Sequence, residues 1–179
     1  MNTFDTFVEK IIIHEGGSLI SDDPDDRGGT TKYGISIKFA GSINLDLDND
    51  GRTTSADIIA LTLEDAKKIY FEHFWEKIQG HLLPRGLAYI AFDAAVNQGV
   101  YAGSVDLQRS LGVKDDGIIG PKTRLAAHSQ YSTDTVNEYC ARRMRRYGMT
   151  GKFEKFGLGW SRRLFDVHQY ASILTSNDT

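Results

Sequence analysis

The sequence predicts a mainly α-helical domain with a buried central helix and one small irregular hairpin region. Three observations carry that prediction. Apolar residues recur at three- and four-residue intervals in several segments, Leu87 to Gln98 is apolar on nearly every side, and cap and breaker residues fall where such segments would end. The chain has 179 residues, 40% hydrophobic and 25% charged. At this size folding hides about 70% of the surface of the unfolded chain, so a core forms without metal or disulfide staples.

From Thr3 to Glu15 the residues Phe4, Phe7, Val8, Ile11 and Ile12 form one stripe of an amphipathic helix, which Gly16 and Gly17 stop. Ser21 to Gly34, dense in Asp, Gly and Thr, reads as a loop or short hairpin folding back near the end of that helix. A second polar loop spans Asn44 to Ser55. Thr62-Leu63-Glu64-Asp65 has the pattern of an N-terminal cap for a helix reaching about Gln79, whose aromatic residues Tyr70, Phe71, Phe74 and Trp75 cover more than one face. Leu87 to Gln98 is the expected central helix, ended by Gly99. Ala102 to Leu111 is the next, and Gly120-Pro121 starts another with proline at the first helical position. Val136 to Tyr147 and Trp160 to His168 complete the helical set.

Charge excludes some function classes. Twenty-one basic against 24 acidic side chains give a net charge of -3, so no strong positive field recruits nucleic acid. Residues 1–65 hold 5 basic and 13 acidic groups, residues 66–133 hold 8 and 6, and residues 134–179 hold 8 and 5. Cys140 is the single cysteine, which rules out an intrachain disulfide and a C-x-x-C redox pair. Met1 to Glu15 lacks the basic start and small-residue cleavage site of a secretory signal. No apolar run approaches the roughly 20 residues of a membrane span. Synthesis in a reducing cytosol is the expectation. The five histidines form no metal-ligand spacing, and no G-x-S-x-G elbow supports a serine hydrolase.

The acidic end has a motif of its own. Asp46-Leu47-Asp48-Asn49-Asp50-Gly51-Arg52-Thr53-Thr54-Ser55-Ala56-Asp57 puts oxygen-bearing residues at loop positions 1, 3, 5, 9 and 12 and glycine at position 6. Calcium takes six to eight hard oxygen ligands at about 2.3–2.6 Å, which a loop with alternate inward side chains can supply. Asp46, Asp48, Asp50, the Arg52 carbonyl and Asp57 are the candidate ligands, with Thr54 acting directly or through water. Aspartate at position 12 resembles the loops of dockerin modules. The alternative is a solvated acidic loop in which Asp57 caps the following helix. A bound ion would be structural, since catalysis needs an open coordination position and a nearby base.

Glu15 falls at the C-terminal end of the first helix, where the negative pole of the dipole disfavours an anion, a setting that suits a general acid. Its flanking glycines remove bulk. A glycosidase needs a protonated carboxyl for the leaving oxygen and a second group that activates water or stabilises the oxocarbenium-like centre. Asp22, Asp23, Asp25 and Asp26 offer that second group.

His14-Glu15-Gly16-Gly17, the run Asp26-Arg27-Gly28-Gly29-Thr30-Thr31-Lys32-Tyr33-Gly34-Ile35-Ser36, Leu83-Pro84-Arg85-Gly86-Leu87 and Phe92-Asp93-Ala94-Ala95-Val96-Asn97-Gln98-Gly99 together resemble glycoside hydrolase family 108. Its members are N-acetylmuramidases of lysozyme-like helical fold, many of them phage endolysins. The resemblance implies Glu15 as catalytic acid, Asp26 and Thr31 as its partners, and Tyr33, Asn97 and Gln98 as substrate contacts. Asp25 and Asp23 stay open as alternatives to Asp26. The implied reaction is hydrolysis of the β-1,4 bond between N-acetylmuramic acid and N-acetylglucosamine, with inversion expected. The implied route is synthesis in a host cytoplasm and action on the wall in the periplasm after holin-type release.

Leu107-Gln108-Arg109-Ser110-Leu111 with Asp116-Gly117-Ile118-Ile119-Gly120-Pro121-Lys122-Thr123 is similar to small peptidoglycan-binding modules, although a turn and core spacing explain it equally well. The expected organisation is one domain over 1–179. Residues 1–100 form its catalytic part, with the calcium loop at 46–57, and residues 101–179 an integrated wall-binding part. Arg142, Arg143, Arg145 and Arg146 among apolar residues suit either a solvated helix face or an anionic outer-membrane surface. A monomer that binds glycan strands and no nucleic acid is expected. The competing readings are a non-catalytic calcium-dependent wall- or cohesin-binding module and a lytic transglycosylase.

Overall fold

The computed structural model describes residues 2–21 and 29–178. The protein is mainly helical, as predicted, with one two-stranded sheet among the described residues. It divides into two compact units, Met1–Phe71 and Glu72–Thr179. Among the described residues no helix is long and apolar enough to cross a membrane.

The first unit opens with α1, Thr3–His14, whose first turn is capped by Asn2: Oδ1 accepts from the Asp5 amide at 2.9 Å. Phe4, Phe7, Val8, Ile11 and Ile12 are its buried stripe. Two short strands follow, β1 (Thr31–Lys32) and β2 (Ile35–Ser36), paired antiparallel with Thr31 opposite Ser36. The turn between them is Tyr33-Gly34, both at positive φ (52° and 76°), as a two-residue hairpin requires. Helix α2 (Ile37–Ser42) starts on the Ser36 hydroxyl, and the acidic loop leads into α3 (Ser55–Ala60). Lys32 ties the hairpin to the end of α3 by donating to the carbonyls of Ile59 and Leu61, at 2.6 and 2.7 Å.

Helix α4 (Leu63–Tyr70) begins at the Thr62/Asp65 capping box read from the sequence. The predicted continuation to Gln79 differs in kind. The α-helix passes into a π-helical turn over Phe71–Trp75, and Gln79 at φ 50° closes the segment before a 3₁₀ turn at Gly80–Leu82. Trp75 is fully buried and packs edge-on against Phe92, while Gly80 lies so close under its indole that any Cβ would collide.

In the second unit α5 (Arg85–Gln98) is buried at ten consecutive positions, Gly86 to Ala95. It packs against α6 (Val100–Ser110), α8 (Thr133–Gly148) and α9 (Phe153–Asp178), with α7 (Pro121–Ser129) between α6 and α8 in sequence. Gly86 admits Thr175 and the Ala171 carbonyl, and Gly103 lets α6 approach Ala94 and Ala95. Asp93 lies fully buried in this core and is paired by two guanidinium groups, Arg143 and Arg163, both at 2.7 Å. Burial alone would push its carboxyl up, but the two arginines outweigh that and hold it below the usual carboxylate value.

Candidate active site

The Glu15-Gly16-Gly17 sequence is first of all a helix terminus. Glu15 is the C-cap of α1; the Gly17 amide donates to Ile12 O at 2.9 Å and the Gly16 amide to Ile13 O at 3.2 Å. That pair of bonds is a Schellman motif, which needs the left-handed φ of Gly16 (91°); Gly17 follows at a positive φ of its own (63°). The glycines therefore close the helix, in addition to leaving open space around them.

The chain leaving the motif meets the hairpin. The Tyr33 amide donates to Gly17 O at 3.0 Å, and Ser21 and Thr31 exchange both backbone hydrogen bonds. Tyr70 reaches from α4 to donate its hydroxyl to the Tyr33 carbonyl at 2.9 Å. Half-buried Glu15 sits against this turn: a Cβ on Gly34 would lie 2.6 Å from Glu15 Cβ and 2.6 Å from the Tyr70 hydroxyl. Glu15 is thus held beside the Tyr33-Gly34 turn by a helix terminus on one side and an anchored hairpin on the other. Tyr70, which the sequence marks only as one of several aromatics, is the residue that fixes the turn.

Thr31 lies on β1, half-buried, with its hydroxyl donated to Gly29 O at 3.0 Å. Tyr33 is half-buried with the Lys32 ammonium 5.5 Å from its ring centroid. Asp26, with its alternatives Asp23 and Asp25, lies outside the described residues. Asn97 and Gln98 belong to the second unit. There the Tyr147 hydroxyl donates to Asn97 Oδ1, and Gln98 both accepts from Arg143 Nε at 2.9 Å and donates to Arg143 O at 3.2 Å. The two line a cavity of about 190 Å³ together with Tyr147, Thr150 and Trp160.

In the acidic loop, Asp46, Asp48 and Asp50 each place a carboxylate oxygen within 4.8 Å of the others. Backbone amides shape the bend: Asp50 donates to Asp46 and Asp48, Gly51 to Asp46, and Arg52 to Asp50. Asn49 (φ 61°) and Gly51 (φ 82°) supply the left-handed positions. Three anions this close repel one another, so the donor set suits a hard cation. Asp57 stands apart from this trio. It is fully buried, accepts from Leu47 N at 2.7 Å and Thr54 N at 2.8 Å, and forms the capping box of α3. Those backbone bonds hold its carboxyl below the usual value, against the opposing effect of burial.

The wall-binding pattern around Gln108 is a structural knot. Buried Gln108 donates to Asp116, Ile118 O and Thr123, and accepts from the Gly117 amide at 2.8 Å. The four-arginine run is likewise not one solvated face: Arg143 is buried on Asp93, Arg146 forms a bidentate pair with Asp106, and Arg142 pairs with Glu138.

Residues 8–99 match the family model Glycosyl hydrolase 108, more than half of the chain. The chain belongs to glycoside hydrolase family 108. Residues 102–165 match a second model, Predicted Peptidoglycan domain. A solved structure of SagA from Brucella abortus is similar over 97% of this chain and 95% of that one, at 32% identity and a TM-score of 0.85. No curated protein matches the chain. The family member described here is a glycoside hydrolase of lysozyme-like, mainly helical fold that acts on peptidoglycan. The first match ends at Gly99, the left-handed residue between α5 and α6, so α5 carries the last family-108 motif while packing on helices of the peptidoglycan match.

Proposed function

We propose that the protein is an N-acetylmuramidase that cuts the β-1,4 bond between N-acetylmuramic acid and N-acetylglucosamine, with Glu15 as general acid. The observation that carries the reading is the seating of Glu15 at the α1 terminus against the Tyr33-Gly34 turn. Glu15 donates its proton to the glycosidic oxygen as the C–O bond breaks. Water, deprotonated by Asp26 and oriented by Thr31, adds to the anomeric carbon from the opposite face, giving inversion. Tyr33, Asn97 and Gln98 are the proposed sugar contacts.

Calcium is part of the proposal as a structural ion. Asp46, Asp48, Asp50 and the Arg52 carbonyl would hold it, and Asp57 would join them by exchanging its contact with the Thr54 hydroxyl for the ion. The ion would neutralise the three clustered carboxylates and fix the loop that precedes α3. The endolysin role, with release to the wall through a membrane lesion, belongs to the same reading.

Digestion of purified peptidoglycan followed by mass analysis of the fragments tests the bond. Reducing N-acetylmuramic acid ends are expected, absent with Glu15→Gln, which should lower turnover at least about a hundredfold. Reducing N-acetylglucosamine ends or anhydro products would refute the muramidase assignment.

A further inference from the structure

On the second unit, α8 divides its arginines by helical phase. Arg143 and Tyr147 turn into the core, while Arg142, Arg145, Arg146 and Met149 follow the i, i+3, i+4, i+7 spacing of one face. That face borders a cavity of about 360 Å³ lined by Asp106, Arg109, Arg142, Arg145, Arg146 and Thr150. The cavity holds far more hydrogen-bond donors than acceptors. Its one carboxylate, Asp106, is fully engaged by the Arg146 fork at 2.8 Å on both oxygens. Arg109 uses Nε on Asp115, and Arg142 uses Nη2 on Glu138, both at 2.7 Å. Arg142 Nε is enclosed with no acceptor. Exposed Arg145 forms no ion pair among the described residues. A guanidinium carries five donors in a planar fork that fits a carboxylate or a phosphate in bidentate fashion, so this surplus suits an oxyanion ligand, and the neighbouring surface points to the carboxylate.

The smaller cavity described above shares Arg146 and Thr150 with this one. Gln98 is held at both polar ends by Arg143, but the Asn97 Nδ2 donor, left over from the Oδ1 bond to Tyr147, and the Trp160 ring suit a neutral, amide-bearing segment next to the anionic group. Amides and carboxylates in alternation are the chemistry of the peptide stems of peptidoglycan. We propose that the α6–α8 arginine cavity is a subsite for a stem-peptide carboxylate, which positions the enzyme on stem-bearing glycan. The proposal rests on the peptidoglycan reading and names the part of the polymer that this surface takes.

The test is calorimetric titration of the full chain with a soluble stem tetrapeptide, with the same peptide capped as carboxamides, and with anionic lipid vesicles. The free-acid peptide should bind. Capping it, or introducing Arg142→Ala with Arg145→Ala, should weaken binding about tenfold, as should Arg145→Glu alone at its exposed position. Raised salt should weaken it further. Equal binding of free and capped peptide, no loss in either variant, no peptide binding, or binding of vesicles in place of peptide would each overturn the proposal. The peptide has no glycosidic bond, so the outcomes separate. Peptide binding without peptidoglycan hydrolysis would count against the muramidase alone, and hydrolysis without peptide binding would count against the subsite alone.

Discussion

Glu15 and Gly34 are in contact so close that the second of them can only be glycine: a Cβ there would stand 2.6 Å from Glu15 Cβ and 2.8 Å from Glu15 Cγ. Gly34 also holds φ at 76°. Gly34→Ala should therefore combine overpacking of about 1–3 kcal/mol with left-handed strain of about 1–2 kcal/mol, and displace the carboxyl. Gly16→Ala meets only the strain, because nothing lies within 4 Å of its Cβ position. Thermal melts and lysis rates on the two variants should show Gly34→Ala losing more of both. Equal losses would mean that the Glu15–Gly34 contact does not set the geometry of the acid.

Asp93 should govern acid stability in the second unit. Asp93→Asn leaves Arg143 and Arg163 facing a neutral group in the core, and should cost about 3–5 kcal/mol. In the native protein its carboxyl titrates lower than in the unfolded chain. Its contribution is complete above the unfolded value of about 3.9 and disappears as pH falls through the lower folded value. Urea melts across that acid range should lose stability in the parent protein and show a shallower slope in Asp93→Asn.

Added calcium should raise the melting temperature and a chelator should reverse it, by about 2.7 kcal/mol when calcium stands a hundredfold above its Kd. Asp46→Asn and Asp48→Asn should blunt the response. An unchanged melt with and without calcium would reduce the loop to an acidic bend whose Asp57 is only a helix cap.

Gln108 makes three hydrogen bonds that close the 112–120 loop onto α6 and a fourth to Thr123 of α7. Gln108→Ala should cost about 2–3 kcal/mol and open that loop to proteolysis. Were Gln108 a ligand contact instead, the variant would keep its melting temperature and lose affinity for peptidoglycan.

Features set by near neighbours in sequence were legible. The buried stripe of α1, the Thr62 cap, the proline start of α7 and the glycine stop after α5 all appear where the pattern put them. The π-helical turn was not, because no glycine or proline marks it and buried Trp75 and Tyr70 are satisfied by packing. Arg143 looks like its solvated neighbours in sequence, since its partner Asp93 is 50 residues away. Gly16 and Gly17 were legible as a stop and as open space, whereas the Schellman bonds, which turn on the left-handed φ of Gly16, emerge only in three dimensions. At the candidate site, Glu15 was marked by its motif; the role of Tyr70 was hidden because it acts through the backbone carbonyl of Tyr33.

Helix α5 ends the family-108 match yet is walled in by α6, α8 and α9, which follow it in the chain. A break at Gly99 would take α6, α8 and α9 from the buried face of α5 and leave the Asp93 carboxylate without Arg143 and Arg163. The border between the two matches therefore runs through the core of one compact unit, so a cut there divides a packed helix bundle instead of parting two portable modules.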